Sequence, residues 1–482
     1  MTVYEILSKF GQRTDRLNKT PFQFDFDSLA QARNEYNRFV KEWESHYNGT
    51  VPNIHAYRRF NGIRTHEVGR MSMRLAKQIT KKWATTLFSE AFQVTLKNDT
   101  ETGKFNQLAK SVGFRAKLNN AAISGYALGT SVLLASADII KTGEKTSGGK
   151  VKLDLIRYPN IYPISYTQDE VLTVAFVKTE KTKNTEKFYI SIHTVGEKAT
   201  IENTIATVKN NEVTWEDLPL VEMAVPPFAW IKPNTLNDYS ETLPFGQSIF
   251  ADALAPIVDV DLAAAGLRRD LKEGDQVTFI GRDLLLEKMK GDDGETERIF
   301  DNSEGQFFAI PQDNLNNGEK KKQLFEQHTP EIRTQQFTQA IKDSLNWASI
   351  NSGLGKGSLD VIPQPTATGV INTEAEKMQN KSLHEQYLEG EIIKLVKALC
   401  ELSTAVGNPI DASEVGIVWE DSVIVDTAEQ KKMAMQEIDM GVISKEEYRM
   451  KFYGETEGQA QEKIAGMGEN PAVSYDTEGE EG

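Results

Sequence analysis

The segment Gly353 to Ser358, Gly-Leu-Gly-Lys-Gly-Ser, sets three glycines around one lysine, the composition of a loop whose backbone amides cradle a phosphate. A nucleotide-binding loop also requires a glycine five residues before its Gly-Lys pair and a Ser or Thr straight after it. This chain has Ile350 and Gly357 at those places, so a flexible glycine hinge is the plainer expectation. His66 and Glu67 begin a zinc-protease motif whose second histidine would fall at Arg70. Asp313 to Leu324 has Gly318 where a calcium loop turns, but Leu315 and Leu324 where oxygen ligands are needed. Asp259 and Asp261 could form a carboxylate pair, which chance supplies readily in so acidic a chain. His46, His55, His193, His328 and His384 are scattered, and structural or exposed roles are expected for them. Cys400 is the sole cysteine, which excludes an intrachain disulfide; beside Leu399 and Leu402 it is expected to be a small buried hydrophobe. The residues therefore predict no catalytic set, no metal and no cofactor.

Composition bounds what remains. The 482 residues are 39% hydrophobic, enough for a large core divided among several substructures. Met1 to Arg16 lacks the apolar centre of a signal peptide, and no run approaches the roughly 18 apolar residues of a membrane helix, so an intracellular product is expected. A net charge of -15 argues against tight nonspecific nucleic-acid binding, which needs clustered Lys and Arg.

The elements that would position any function centre on Phe245 to Gly407. A helix is expected from Ser248 to Glu273, with Phe250, Ala253, Leu254, Ile257, Val258, Leu262 and Ala265 on one face and a bend at Pro256. Short β-prone runs follow at Gln276 to Gly281, Gln306 to Ile310 and Lys322 to Gln327. A second helix spans Glu331 to Ile350; Asn351 to Pro365 breaks it, and a third runs from Thr366 or Thr368 to Gly407. Earlier, Met1 to Phe26 carries no clear pattern, and helices are expected at Asp27 to Tyr47, Glu67 to Ser89, Phe105 to Val112 and Ala116 to Leu128. Pro52 to Ile63 reads as a loop of adjacent Arg and aromatic residues, suited to a subunit contact or to solvent more than to stacking on bases. Strands follow at Ser131 to Ala135, Val151 to Arg157, Val171 to Val177, Phe188 to His193 and Thr200 to Val208, with a last one at Val415 to Trp419. Thr427 to Asp439 reads as a helix, and Ser444 with Glu447 forms a capping box before another. The whole is α+β and mostly helical.

Three stretches carry a family resemblance: PPFAWIKPNTLN; PFGQSIFADALAPIVDVDLAAAGLRRDLKEGDQVTF; and SGLG followed by PTATGVINTEAEK. With the WxxxYxG ending at Trp43 to Gly49, they resemble the portal proteins of tailed double-stranded DNA phages, in the branch from phages of Gram-positive bacteria. The resemblance implies a wing (1–242 and 367–425), a first stem helix (243–274), a β-rich clip (275–330), a second stem helix (331–350), a tunnel loop (351–366), crown helices (426–468) and an acidic disordered tail (469–482). It implies a head-to-tail connector, a homo-oligomeric ring of twelve subunits at the capsid vertex of the virion, assembled in the host bacterial cytoplasm. The ring would pass double-stranded DNA during packaging and ejection without hydrolysing ATP. Its implied partners are the terminase large subunit, a head-completion or tail adaptor, and the major capsid and scaffold proteins, with no membrane. Asp252, Asp259, Arg333, Lys342 and Asp343 are the tunnel-facing candidates. Gly353, Gly355, Lys356 and Gly357 belong to the tunnel loop, with Lys356 near passing DNA, and Asp292, Asp293, Asn314 and Asn316 are clip contacts. The alternative from another class is a soluble nucleotide-dependent enzyme using Gly353 to Ser358.

Overall fold

Two hydrophobic cores organise the computed structural model. It describes residues 2–13, 25–60, 64–88, 92–142, 145–167, 170–182, 185–274, 277–281, 287–290, 295–298, 306–310, 325–328, 331–359, 367–419, 434–438, 440–441, 443–453, 461 and 464. By its contacts the chain divides into two units, Met1–Pro363 with Gln379–Glu420, and Gln364–Met378 with Asp421–Gly482.

In the first unit, strands β6 (Ile161–Tyr166), β7 (Val171–Thr182), β8 (Thr185–Thr194), β9 (Ala199–Lys209) and β10 (Glu212–Asp217) form an antiparallel meander in chain order. The short β11 (Val221–Met223) also pairs with β9. Phe188, Ile190 and Ile192 are buried at every second position of β8, as one covered sheet face requires. That face is covered by α1 (Val3–Arg13), through Tyr4, Ile6, Leu7 and Phe10. No helix was expected there, because four apolar positions in so short a segment are a weak signal. Docking on the sheet supplies the stabilisation an isolated helix of that length lacks.

The larger core surrounds α5 (Phe114–Leu128), whose Leu118, Ala121, Ala122 and Tyr126 are fully buried. Around it pack α2 (Phe26–Asn48), α3 (Leu75–Leu87), α4 (Asp99–Val112), the buried part of α8 (Ala367–Ala405), and a sheet of β12 (Phe228–Ile231), β4 (Ser131–Thr142) and β5 (Lys145–Arg157). The sheet presses so closely on α5 that a Cβ at Gly125 would lie 2.1 Å from the Ile231 carbonyl oxygen. Arg33 of α2 is buried without a carboxylate partner among its recorded contacts; its guanidinium donates to the carbonyls of Tyr158, Pro159 and Ile161 and lies 4.0 Å from the Tyr162 ring centroid. Strand β3 (Gln93–Leu96) pairs with β18 (Val415–Val418).

Two helix expectations change. Glu67 to Ser89 is not one helix: β1 (Ala56–Phe60) and β2 (Thr65–Gly69) form a hairpin, and α3 begins only at Leu75, after Arg74 in left-handed geometry (φ 51°). The supposed loop from Pro52 is thus largely a strand, since a cross-strand partner 10 residues on was not visible locally. Likewise the helix after Ser248 starts late. The Ile249 amide and the Ser248 hydroxyl donate to the Tyr126 carbonyl at 2.9 and 3.3 Å, a 3-10 turn covers Ala251–Ala253, and α6 is Leu254–Glu273. Pro256 therefore falls in the first helical turn, where its missing N–H has no intrahelical acceptor to lose, and the expected bend has no cause.

Between α6 and α7 (Thr334–Asn351) lie β13 (Val277–Gly281), β14 (Glu287–Lys290), β15 (Glu295–Arg298), β16 (Gln306–Ile310) and β17 (Phe325–His328). β13 pairs parallel with β16 and antiparallel with β17, and β14 pairs with β15. In the second unit the capping box forms: Ser444 Oγ accepts from the Glu447 amide at 3.1 Å and Glu447 Oε2 from the Ser444 amide at 2.9 Å, before the helix Lys445–Tyr453. The acidic tail 469–482 and most of Thr427 to Asp439 lie outside the described residues.

The larger core also buries a histidine. His384 of α8 sits 4% exposed, 4.8 Å from the Trp83 ring, with Nδ1 accepting from the Asn234 amide at 3.0 Å. Burial pushes its pKa down to about 4, and that of His193 to about 3. Both groups are neutral in the folded chain but protonated in the unfolded chain below about pH 6.5. Their contribution to stability is complete above that value and is lost as pH falls toward the folded pKa; for His384 it amounts to about 3 kcal/mol. Urea unfolding should show a steep loss of stability from about pH 7 to about pH 4.5, and a shallower loss in His384→Gln, which carries no titrating group there.

Candidate functional site

Helices α6 and α7 pack antiparallel in a register set by three contacts. Asn351 Nδ2 donates to the Asp252 carbonyl at 3.1 Å, the Phe337 ring fills the space a Cβ on Gly266 would need (2.5 Å away), and Arg333 forks onto Asp270, with Nε to Oδ2 2.8 Å and Nη2 to Oδ1 3.0 Å. The fork holds the Asp270 carboxyl below the usual carboxylate range, through its hydrogen bonds to Arg333, and raises the guanidinium in turn.

That register separates the five charged residues expected to share one surface. At about 100° per residue, Asp259 lies on the Asp270 side of α6 to within about 20°, and Asp252 joins that side through Asn351. On α7, Trp347 falls about 40° and Asp343 about 80° from Arg333, whereas Lys342 falls about 180° away. One flank of the helix pair thus carries Asp252, Asp259, Asp343 and the 61% exposed Trp347, with Arg333 already engaged by Asp270. Lys342 is exposed on the other flank.

Asp261 points the opposite way from Asp259 and is the residue that the sequence did not single out. It is 1% exposed, and Oδ2 accepts from Ser72 Oγ and from His55 Nε2, both at 2.8 Å, while Oδ1 accepts from the Met73 amide at 2.6 Å. The Val51 amide donates to His55 Nδ1 at 2.9 Å, so Nδ1 is the acceptor and Nε2 carries the hydrogen aimed at Asp261. His55 is neutral in this arrangement. A buried carboxylate is costly unless its lone pairs are filled. Here three donors from the segment around the β1–β2 hairpin fill them. The apolar neighbours Ile257 and Val260 were the available signal: an acid two turns deep in a buried stripe must have partners.

The glycine-rich segment is built differently from a phosphate loop. It follows the C-terminus of α7, where the helix dipole is negative, rather than opening a helix. Its amides are engaged internally: Gly353 N–H donates to Ile350 O at 2.9 Å, Leu354 N–H to Ser349 O at 3.0 Å, Gly357 N–H to Asn346 Oδ1 at 3.2 Å and Ser358 N–H to Gly355 O at 3.3 Å. Gly353, Gly355 and Gly357 all have φ between 73° and 80°, which explains the glycines. The expected flexible hinge is instead fixed to the body: Trp83 Nε1 donates to Ser352 O at 2.8 Å, Asn380 Nδ2 to Gly353 O at 2.9 Å, Lys82 Nζ to Ser358 O, and Leu354 is fully buried. Lys356 is exposed, and 360–366 lie outside the described residues, as do Asp292, Asp293, Asn314 and Asn316. Cys400 is buried, and burial with the nearby Glu101 charge pushes its thiol up to about 12, so it is inert. Among the described residues no cluster of His, Cys, Asp and Glu could hold a metal, and no helix is long and apolar enough to cross a membrane.

A family model described as phage portal protein, SPP1 Gp6-like, matches residues 28–470. The chain belongs to the phage portal protein family. Portal chains are structural components of the phage virion at the head-to-tail connector, and the family is structural rather than catalytic. Comparison with curated proteins finds no match. Among solved structures, the chain resembles one from the virion of a native gene transfer agent particle, at 11% identity and TM-score 0.38, covering 79% of this chain and 88% of that one. A second, from the neck of such a particle computed with C12 symmetry, matches at 11% identity and TM-score 0.37, with the same coverage. Neither likeness is near enough to locate a residue.

In this portal chain Asp261 should be indispensable to the fold around α6. Asp261→Ala leaves the His55 and Met73 donors buried and unpaired, and should lower stability by about 3 kcal/mol. Asp261→Asn, which keeps an acceptor, should cost less; differential scanning calorimetry of both variants orders them.

Proposed function

We propose that this chain assembles, in twelve copies, into the ring through which double-stranded DNA enters and leaves the capsid, in a phage of a Gram-positive host. The observation that carries the reading is the family match across 28–470, combined with two antiparallel helices that flank a small mixed sheet. In this reading α6 and α7 form the channel wall and 275–330 the clip, which meets the terminase motor during packaging and the head-completion or tail proteins afterwards. The glycine-rich turn is the root of a tunnel loop continuing through 366. Scaffold and major capsid proteins surround the ring during assembly in the host cytoplasm.

Electrostatics favours a conduit over a clamp. With a net charge of -15 the chain repels phosphates on average, so DNA can slide without being held at each step. The lumen-facing set is the face of α7 turned away from α6, with Lys342 and Asp343 at its two margins, both exposed.

Electron microscopy of the purified protein, with mass from light scattering, tests the reading. Rings with an open centre and a mass near twelve times 54.0 kDa are expected. A compact monomer or dimer that persists with scaffold protein present would overturn it. In a packaging assay, Lys342→Glu should change the amount of DNA packaged or retained; an unchanged amount removes Lys342 from the lumen.

A further inference from the structure

The β1–β2 hairpin has no structural partner beyond its base. It is a two-stranded sheet on its own, of a kind marginally stable in water, and every described residue from Ala56 to Gly69 is exposed except the half-buried Tyr57 and Val68. Its base is fastened firmly. His55 reaches Asp261, the Arg70 amide donates to His55 O at 2.7 Å, Arg70 Nη1 donates to Ile54 O at 2.9 Å, and the Arg70 guanidinium stacks 4.8 Å from the Tyr57 ring. The projecting part carries Phe60, 64% exposed, with Met71 and Met73 also exposed beside the base. Between Ala56 and Arg70 stand Arg58, Arg59, Arg64 and Arg70 against one acid, Glu67, in a chain of net charge -15. A fixed, basic, aromatic-tipped arm on an acidic protein is shaped to meet something acidic.

The complementary surface is on the same molecule, facing the other way. Asp261, to which the hairpin base is tied, lies about 180° around α6 from Asp270. The Asp270 side is the acidic flank, with Asp259, Asp343 and the exposed Trp347. Two unlike, charge-complementary surfaces on opposite sides of one helix cannot pair by a two-fold axis; they pair head to tail, the arrangement that closes a ring. We infer that the hairpin of each subunit docks on the acidic α6–α7 flank of the next copy, with arginines toward Asp259 and Asp343 and Phe60 toward Trp347. The inference rests on the ring reading and adds the interface to it. Desolvated Arg–carboxylate pairs around an aromatic anchor are the chemistry of such contacts. The hairpin then gains from its neighbour the third layer that it lacks alone.

Charge exchange tests this with the intact chain. Arg59→Glu with Arg64→Glu sets acid against acid, and should raise the concentration at which rings dissociate by about tenfold or more while the circular dichroism spectrum stays that of the parent. Asp259→Lys with Asp343→Lys should do the same. The quadruple variant, which restores opposite charges across every interface, should recover assembly; a merely structural role for either patch would give additive damage. If the hairpin variant forms rings like the parent, the inference is overturned and the ring reading stands. Should that variant assemble normally but lose affinity for a fluorescent DNA duplex, the arm serves nucleic acid and the inference is equally overturned. A parent chain that forms no ring even with scaffold present removes both.

Discussion

A single buried carboxylate decides how the parts of this molecule are arranged. Asp261 lies inside α6 where water cannot reach it, and an ionised acid there is tolerable only if each lone pair finds a donor. The donors come from outside the helix: His55 just before the hairpin, and Ser72 and Met73 just before α3. One side chain thereby fixes the root of the hairpin, the start of α3 and the rotation of α6 about its axis. With that rotation set, Gly266 and Asp270 are turned to receive Phe337 and Arg333, and α7 has one register in which to lie.

The same economy governs the segment after α7. Three glycines at positive φ and a buried Leu354 turn the chain back tightly, and Trp83 and Asn380 hold the turn by its carbonyls. A composition that resembles a phosphate cradle is used to reverse direction at the foot of a helix. Amides committed to Ile350, Ser349, Asn346 and Gly355 are not available to a phosphate. In a portal protein the consequence is mechanical: the root of the loop is rigid, so any motion must arise farther along.

Charge is distributed along the helix pair with a polarity that composition hides. A net -15 describes the whole chain, yet the hairpin is basic and one flank of α6 and α7 is acidic. Neutralising Arg333 against Asp270 leaves that flank acidic, because the one cation on it is already spoken for at 2.8 and 3.0 Å. Burial has a second effect in the larger core, where His384 beside Trp83 is held neutral and couples stability to pH.

The sequence by itself determined what depends on neighbours a few residues apart. The apolar stripes placed α2, α5, α7 and α8 to within a turn or so, the alternation placed the meander strands, the Ser444 and Glu447 pair marked a helix start, and the family motifs identified a portal chain. What it could not show were facts decided by contacts across the fold. The α1 helix forms because a sheet receives it, and the hairpin replaced a helical turn because β1 and β2 pair with each other. Asp261 looked like one acid among 70 acidic residues, and only its depth and its three donors distinguish it from the exposed Asp259 two residues before. Likewise the five charges picked from the stem helices were assigned to one face, but which side each occupies is fixed by the rotation of each helix. That rotation is a tertiary quantity, set by the burial of Asp261 and the fork of Arg333 on Asp270.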